Sequence, residues 1–316
     1  MSDEAVQATN DDASMCKRFA VQQGYWKDPY IQLLVKSGQR RAPEINRGYY
    51  ARTQGMHTLL VKFIQLTNKD CQVINLGAGF DTLFWRLKDE DLLPSLYVEV
   101  DFRAVTSRKC QTVRMRSKLL EGIQATCQGK SVVIENAELH SPGYHIVWGD
   151  LRNVAELEEK LTKAVGVDFK KPTFFMSECV LVYLHHDKSA ALLKWIASKF
   201  PSSFLANYEQ VNMGDKFGMV MAENLRARGC TLEGVAPCKD LESQKSRFTS
   251  VGWQGAQAAD MQTVYASLSR EDIYRIERLE FLDETELLDQ LLTHYCICWA
   301  WNDATNLGLS SIGIGR

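Results

Sequence analysis

A glycine-containing turn after an apolar segment is the part of this sequence whose residue types point most directly to chemistry. Residues 73–76 are mostly apolar and lead into a turn with Gly77 and Gly79. Such a turn lets the backbone approach a nucleotide-like cofactor at the end of a strand. Two glycines alone are a weak signal, and Thr82 stands where the dinucleotide fingerprint requires a third glycine. The turn therefore favours S-adenosylmethionine, which carries no pyrophosphate, over NAD.

Two acidic residues end further predicted strands and are candidates to bind such a cofactor. Asp101 follows a strand predicted over 96–100, where a carboxylate is placed to accept both ribose hydroxyls. Glu178 follows a strand predicted over 173–177, and a buried carboxylate there needs a positively charged partner. S-adenosylmethionine offers an ammonium group and a sulfonium. Each residue has a plainer alternative as an ordinary loop carboxylate.

The two ends of the cofactor require different protein groups. Asp150, with the backbone of Leu151, is suited to bind the exocyclic amine of adenine, and it is also suited to cap the following helix. The methionine carboxylate needs a cation, and an arginine binds a carboxylate through two parallel hydrogen bonds. Arg52 and Lys17 lie in predicted N-terminal helices. Their sequence pattern alone fits a solvated helix face equally well.

Composition and charge exclude several classes of protein. The 316-residue chain has a net charge of -2, which gives no electrostatic basis for binding nucleic acid or an anionic membrane. Its apolar runs are too short to cross a membrane, and its polar, acidic start predicts no signal peptide. Nine cysteines without a CxxC pair predict reduced thiols, and six histidines without ligand spacing predict no metal site. We expect a cytoplasmic monomer.

Alternating apolar strands and helical segments predict an α/β fold of the class I S-adenosylmethionine-dependent, Rossmann-like type. A strand is also predicted over 276–281. We expect a disordered tail over 1–13, followed by a single methyltransferase domain over 14–316. Its expected parts are an N-terminal helical lid over 14–70, a cofactor-binding core over 71–211, a helical insertion over 212–250, and closing strands and helices over 251–316.

Six segments of the sequence resemble the leucine carboxyl methyltransferase family. They are CKRFA at 16–20, APEINRGY at 42–49, NLGAGFDT at 75–82, FWRL at 84–87, ECVLVY at 178–183 and NYEQVNMGD at 207–215. The resemblance extends from about Asp12 to Leu309 and is weakest over 120–145.

The resemblance implies methyl esterification of the C-terminal leucine carboxylate of the protein phosphatase 2A catalytic subunit, which regulates holoenzyme assembly. It implies S-adenosyl-L-methionine as cofactor. The positions that match the family's cofactor contacts are Lys17, Arg52, Gly77, Asp101, Asp150 with Leu151, and Glu178. A related branch methylates a carboxyl group in tRNA wybutosine synthesis and usually carries an extra repeat domain, which is not in this sequence.

The implied reaction needs no general base, because a leucine α-carboxylate with a pKa near 3.5 is ionised at neutral pH. The enzyme must instead remove water and align the reacting atoms. Arg52 is the candidate to orient the substrate carboxylate as well as the cofactor. Two alternatives stay open: a small-molecule carboxyl or O-methyltransferase, and an inactive methyltransferase fold that only binds phosphatase tails.

Overall fold

Three helices precede the first strand. The computed structural model describes residues 3–315, and these helices are α1 (Asp3–Gln22), α2 (Ile31–Leu34) and α3 (Pro43–Leu66). The expected disordered tail over 1–13 is wrong for residues 3–13, which form the first half of α1; residues 1 and 2 lie outside the described range. The physical reason is tertiary packing, because Ala5 and Val6 lie against a buried cluster that contains Val182 and Tyr183.

Nine strands form one mixed sheet within residues 3–315. They are β1 (Gln72–Leu76), β2 (Leu96–Asp101), β3 (Val133–Glu135), β4 (Glu138–His140), β5 (Tyr144–Trp148), β6 (Thr173–Glu178), β7 (Ser202–Gln210), β8 (Gly255–Asp260) and β9 (Tyr295–Asp303). Their order is β3-β4-β5-β2-β1-β6-β7-β9-β8. The strands from β5 to β7 in this order are parallel, and both edges of the sheet are antiparallel.

Ten further helices connect the strands. They are α4 (Leu83–Asp89), α5 (Arg103–Met115), α6 (Ser117–Gln124), α7 (Val154–Lys160), α8 (His186–Lys199), α9 (Lys216–Ala227), α10 (Leu241–Thr249), α11 (Met261–Ala266), α12 (Arg270–Glu277) and α13 (Thr285–Thr293). Short 3-10 turns occur at Leu181–Tyr183, Ala236–Lys239 and Leu309–Ser311, and a π-helical turn at Leu161–Val165. Among these helices, none in residues 3–315 is long and apolar enough to cross a membrane.

The strand predicted over 276–281 is wrong. Ile276 lies in α12, and Leu279 follows it three residues later, a spacing that places both side chains on one side of a helical turn. Both pack against a cluster that contains Ala20 and Tyr50. These two apolar residues therefore belong to the end of α12 and the turn after it, and they pack against the N-terminal helices.

The parallel strands bury side chains on both faces of the sheet. Val73 and Phe174 belong to one apolar cluster, whereas their neighbours Ile74 and Phe175 belong to the cluster on the opposite face. Helix α3 covers the first face, with the ring of Phe63 centred 5.4 Å from that of Phe174. Each such large apolar side chain contributes about 1.5–3 kcal/mol by burial, so the sheet is a rigid support for its loops.

The strand register aligns three of the predicted site residues. Leu76 of β1 pairs with Val100 of β2 on one side and with Ser177 of β6 on the other. The next residues along these three neighbouring strands are Gly77, Asp101 and Glu178, which therefore lie in a row at the carboxyl edge. Chain connections diverge from β1 toward both sides, and ligands bind at such a point in open α/β sheets.

Candidate active site

A cavity of about 360 Å³ lies at this edge and is lined by every residue predicted from the sequence. These residues are Lys17, Arg52, Gly77, Asp101, Asp150, Leu151 and Glu178. The volume is within the range of small-molecule sites. The structure thus brings together residues from two N-terminal helices and four strand ends, while the role of each residue stays a prediction.

Glu178 is an anion held between two cations. Its Oε2 accepts hydrogen bonds from Arg52 Nε at 2.6 Å and from Lys17 Nζ at 3.1 Å, and its backbone carbonyl accepts from Arg52 at 3.4 Å. Burial raises the pKa of Glu178, but the positive charges of Lys17 and Arg52 outweigh it and lower the pKa from 4.5 to about 2. Glu178 is therefore fixed as an anion and is unsuited to act as a general base near neutral pH.

The turn after β1 requires glycine for two reasons. Gly77 and Gly79 have φ values of +68° and +54°, in the left-handed region that favours glycine. A Cβ at Gly77 would also lie 2.5 Å from Cγ2 of Val180, in the loop after β6. Val180 therefore packs directly over this turn, which couples the two loops that border the cavity.

Asp101 is fixed by the backbone that surrounds it. Its Oδ2 accepts from the N–H of Gly79 and its Oδ1 from the N–H of Phe102, both at 2.7 Å. Burial raises its pKa above 3.8, and these two backbone hydrogen bonds oppose the rise. Each carboxylate oxygen has a second lone pair, so Asp101 retains the capacity to accept further hydrogen bonds.

Asp150 is connected to the first helix through an arginine. Arg152 donates from its side chain to both oxygens of Asp150 at 2.8 Å, and to both oxygens of Asp3 at 2.8 Å. Burial raises the pKa of Asp150, but the bonds from Arg152 outweigh it and lower the pKa. The start of α1 is thereby held against the end of β5, next to the cavity.

A second cavity of about 230 Å³ adjoins the first. The two share Asp12, Tyr49, Arg52 and Tyr295 in their linings. The remaining residues of the second cavity are mostly apolar: Cys16, Arg41, Ile45, Gly48, Tyr208, Met261, Leu291 and Leu292. Its wall with the first cavity thus contains one buried cation, Arg52, whose guanidinium also lies 4.5 Å from the ring centre of Tyr208. Two molecules, one bound in each cavity, would therefore both contact Arg52.

Sequence patterns missed three residues of the site. Asn10 accepts from the N–H of Phe80 at 3.0 Å, but it lies in the segment expected to be disordered. Tyr49 and Tyr295 line both cavities. Tyr295 begins β9, an antiparallel strand between β7 and β8, where no motif marks it. The resemblance covers this part of the chain and is the one signal that could have identified it.

Three cysteine thiols line the two cavities: Cys179 and Cys230 line the first, and Cys16 lines the second. Within residues 3–315, no three His, Cys, Asp or Glu side chains are grouped to hold a metal ion. All nine cysteines are free thiols, and Cys179 is the one that is not fully buried.

The sheet order and the cavity at its carboxyl edge define a class I methyltransferase fold. A solved protein of Thermobifida fusca YX classed with the methyltransferases has the same fold, with a TM-score of 0.50 and 14% identity over 86% of this chain and 92% of that one. This confirms the predicted fold class.

Sequence comparison narrows the class to a family. The family model for leucine carboxyl methyltransferase matches residues 5–197. Leucine carboxyl methyltransferase 1 of Bos taurus is 51% identical over 98% of this chain and 93% of its own length. tRNA wybutosine-synthesizing protein 4 of Homo sapiens is 35% identical over 93% of this chain, but the match spans 43% of that protein. The chain belongs to the leucine carboxyl methyltransferase family and is a methyltransferase, which confirms the resemblance inferred from its motifs.

Proposed function

We propose that this enzyme transfers the methyl group of S-adenosyl-L-methionine to the α-carboxylate of a C-terminal leucine, in the catalytic subunit of protein phosphatase 2A. The observation that carries the proposal is that Arg52 lines two adjoining cavities: one contains the acidic and basic groups suited to the cofactor, and the other has aliphatic walls suited to leucine. Methylation of the tail would regulate assembly of the phosphatase holoenzyme. We expect the enzyme to act as a cytoplasmic monomer.

The charges of the first cavity fit the cofactor. Asp101 would hold the ribose hydroxyls, and Asp150 with the Leu151 backbone would hold the adenine. Lys17 and Arg52 are the cations for the methionine carboxylate, and Glu178 is the anion for the ammonium group. When bound, the cofactor supplies a methyl group on a sulfonium, which is already activated for transfer.

The second cavity fits a leucine at a chain end. Ile45, Leu291 and Leu292 give apolar walls for its side chain. Removal of water makes the ionised carboxylate a better nucleophile, and Arg41 and Arg52 are the cations available to orient it. Because Arg52 already donates to Glu178, part of its charge is compensated, and it can orient the carboxylate without quenching it.

The rate of methyl transfer is expected to be independent of pH between about 6.5 and 8.5, because no general base is required. Burial raises the pKa of Cys16 above 9.0, that of Cys179 to about 11 and that of Tyr49 well above 10. Burial also raises the pKa of Glu99 to about 7, although the positive charge of Lys109 lowers it in part. Glu99 lines neither cavity, so its titration is not expected to affect the reaction. A profile of kcat against pH tests this; a single clear ionisation in the window, with stable protein, would reveal a missed base.

Asp101→Ala is expected to weaken S-adenosylmethionine binding by about 2–4 kcal/mol, because two charge-assisted hydrogen bonds to the ribose are lost. Calorimetric titration of the cofactor measures the effect. Asp168→Ala is the control, since the carboxylate of Asp168 also accepts a hydrogen bond from a backbone N–H but lines neither cavity. Equal affinity of the Asp101 and Asp168 variants, or tighter binding of NAD than of S-adenosylmethionine to the wild type, would contradict the cofactor assignment.

Peptides distinguish the proposed substrate from a small molecule. One peptide ends in leucine with a free carboxylate, a second ends in leucine amide, and free leucine is the third substrate. Labelled methyl groups are expected on the free-acid peptide and not on the amide. Methylation of free leucine or of other small carboxylic acids at higher efficiency than the peptide would instead support the small-molecule alternative.

A further inference from the structure

The loop after β6 borders the cofactor cavity and is held in an unusual conformation. Cys179 has a φ of +56°, in the region that disfavours residues other than glycine. Its N–H donates to the carbonyl of Tyr208 at 2.8 Å. The loop carries Val180, which packs over Gly77, and it follows Glu178 directly. A loop with this conformation needs support from the structure beneath it.

Glu209 supplies that support from β7. Its Oε1 accepts a hydrogen bond from the N–H of Val182 at 2.6 Å. Its Oε2 is paired with Arg247 of α10, and the side chains of Glu209 and Arg247 are 0% and 2% exposed. Val182 in turn accepts from the N–H of Gly234 at 2.8 Å. The buried carboxylate thus connects the cavity loop to the helical insertion and to the sheet.

The ion pair is poorly explained as a stabilising contact. Removing two charges from water is costly, and well-packed apolar residues in place of a buried pair often stabilise a protein equally well. Two nitrogen atoms of Arg247, Nε and one terminal nitrogen, also lack a hydrogen-bond partner among the described residues. The ion pair does fix the orientation of the Glu209 side chain. Arg247 holds one carboxylate oxygen, so the other oxygen is directed at the N–H of Val182.

We infer that Glu209 is a positioning residue for cofactor binding and that it acts through Val182. By fixing the middle of the loop, it sets Val180 over the glycine turn and keeps Glu178 between Lys17 and Arg52. This inference rests on the proposed use of S-adenosylmethionine. Glu209 lines neither cavity, so its effect on the cofactor is indirect.

Two double variants separate positioning from packing. Both contain Arg247→Met, so both lose the buried cation. Glu209→Gln with Arg247→Met keeps a carbonyl oxygen that accepts from Val182, whereas Glu209→Leu with Arg247→Met has a similar size and no acceptor. Binding of S-adenosylmethionine is measured by calorimetry at a temperature where circular dichroism shows both variants folded, and kcat and both KM values are measured with the leucine peptide.

The Gln double variant is expected to bind the cofactor within about threefold of wild type. The Leu double variant is expected to bind it about tenfold more weakly, because cofactor binding must then order the loop that the lost hydrogen bond held in place. The cofactor KM should rise in the Leu variant while the peptide KM stays unchanged. Equal cofactor affinity in both double variants would overturn the inference. Failure of the wild type to bind S-adenosylmethionine would instead contradict the proposed function.

Hydrogen exchange keeps the inference testable should the Leu variant fail to fold. In wild-type protein without cofactor, the amide of Val182 is expected to exchange slowly, because Glu209 already holds it. Exchange as fast as that of exposed loop amides, with protection gained when S-adenosylmethionine is added, would show that the cofactor orders the loop and that Glu209 does not.

Discussion

Replacing Arg52 with lysine is expected to lower kcat/KM for the cofactor on the order of 100-fold, because lysine keeps the charge but loses the planar fork of donors. In the structure Arg52 uses Nε for the Glu178 carboxylate and a terminal nitrogen for the Glu178 carbonyl. An ammonium group cannot reproduce both contacts and still face the two cavities. Steady-state kinetics at varied cofactor and fixed peptide measure the loss.

The same variant separates two roles of Arg52. If Arg52 also orients the leucine carboxylate, kcat falls even at saturating cofactor, since alignment contributes mainly in the transition state. Unchanged kcat would restrict Arg52 to cofactor binding. Arg226→Lys is the control, because Arg226 is an exposed helical arginine outside both cavities. If Arg52→Lys matched Arg226→Lys in affinity and in kcat, the site assignment would be wrong.

Gly77→Ala is expected to reduce cofactor affinity by about 100-fold, which corresponds to nearly 3 kcal/mol. The added Cβ would lie 2.5 Å from Val180, so the turn and the loop over it must separate. The left-handed conformation adds a strain of roughly 1–2 kcal/mol for any residue with a Cβ. Calorimetric titration with S-adenosylmethionine measures the affinity.

Gly166→Ala is a matched control for the strain. Gly166 has a φ of +78°, close to the +68° of Gly77, but a Cβ there would meet nothing within 4 Å. Both variants therefore carry similar backbone strain and are expected to lose similar stability from it, whereas loss of cofactor binding is expected for Gly77→Ala alone. Equal affinities of the two variants would show that the turn does not approach the cofactor.

The strand-end part of the site is predictable from sequence for a geometric reason. Gly77, Asp101 and Glu178 each follow an apolar segment, and parallel neighbours present their carboxyl ends at one edge of the sheet. The strand register then sets the three residues side by side. An apolar strand followed by glycine or an acidic residue is visible in the sequence, and the parallel sheet places these strand ends together. This part of the site could therefore be predicted before the fold was known.

Other parts depend on contacts that sequence patterns do not reveal. Arg52 and Lys17 have the sequence pattern of solvated helix residues. Their ion pairs with Glu178, a residue distant in the sequence, are seen only in the structure. Residues 3–13 are polar enough to suggest disorder, yet Ala5 and Val6 pack against apolar residues that are distant in the sequence. The three-residue strands β3 and β4 are too short for any periodicity to mark them. Tertiary packing decides each of these cases.

The most direct measurement of the proposed reaction uses purified protein phosphatase 2A catalytic subunit and cofactor labelled in its methyl group. The full-length subunit is expected to accept one methyl group, which is released as methanol by mild base because it is an ester. The subunit that lacks its final leucine is expected to accept none. Equal labelling of the two subunits, or a label that resists base, would contradict methylation of the terminal leucine carboxylate.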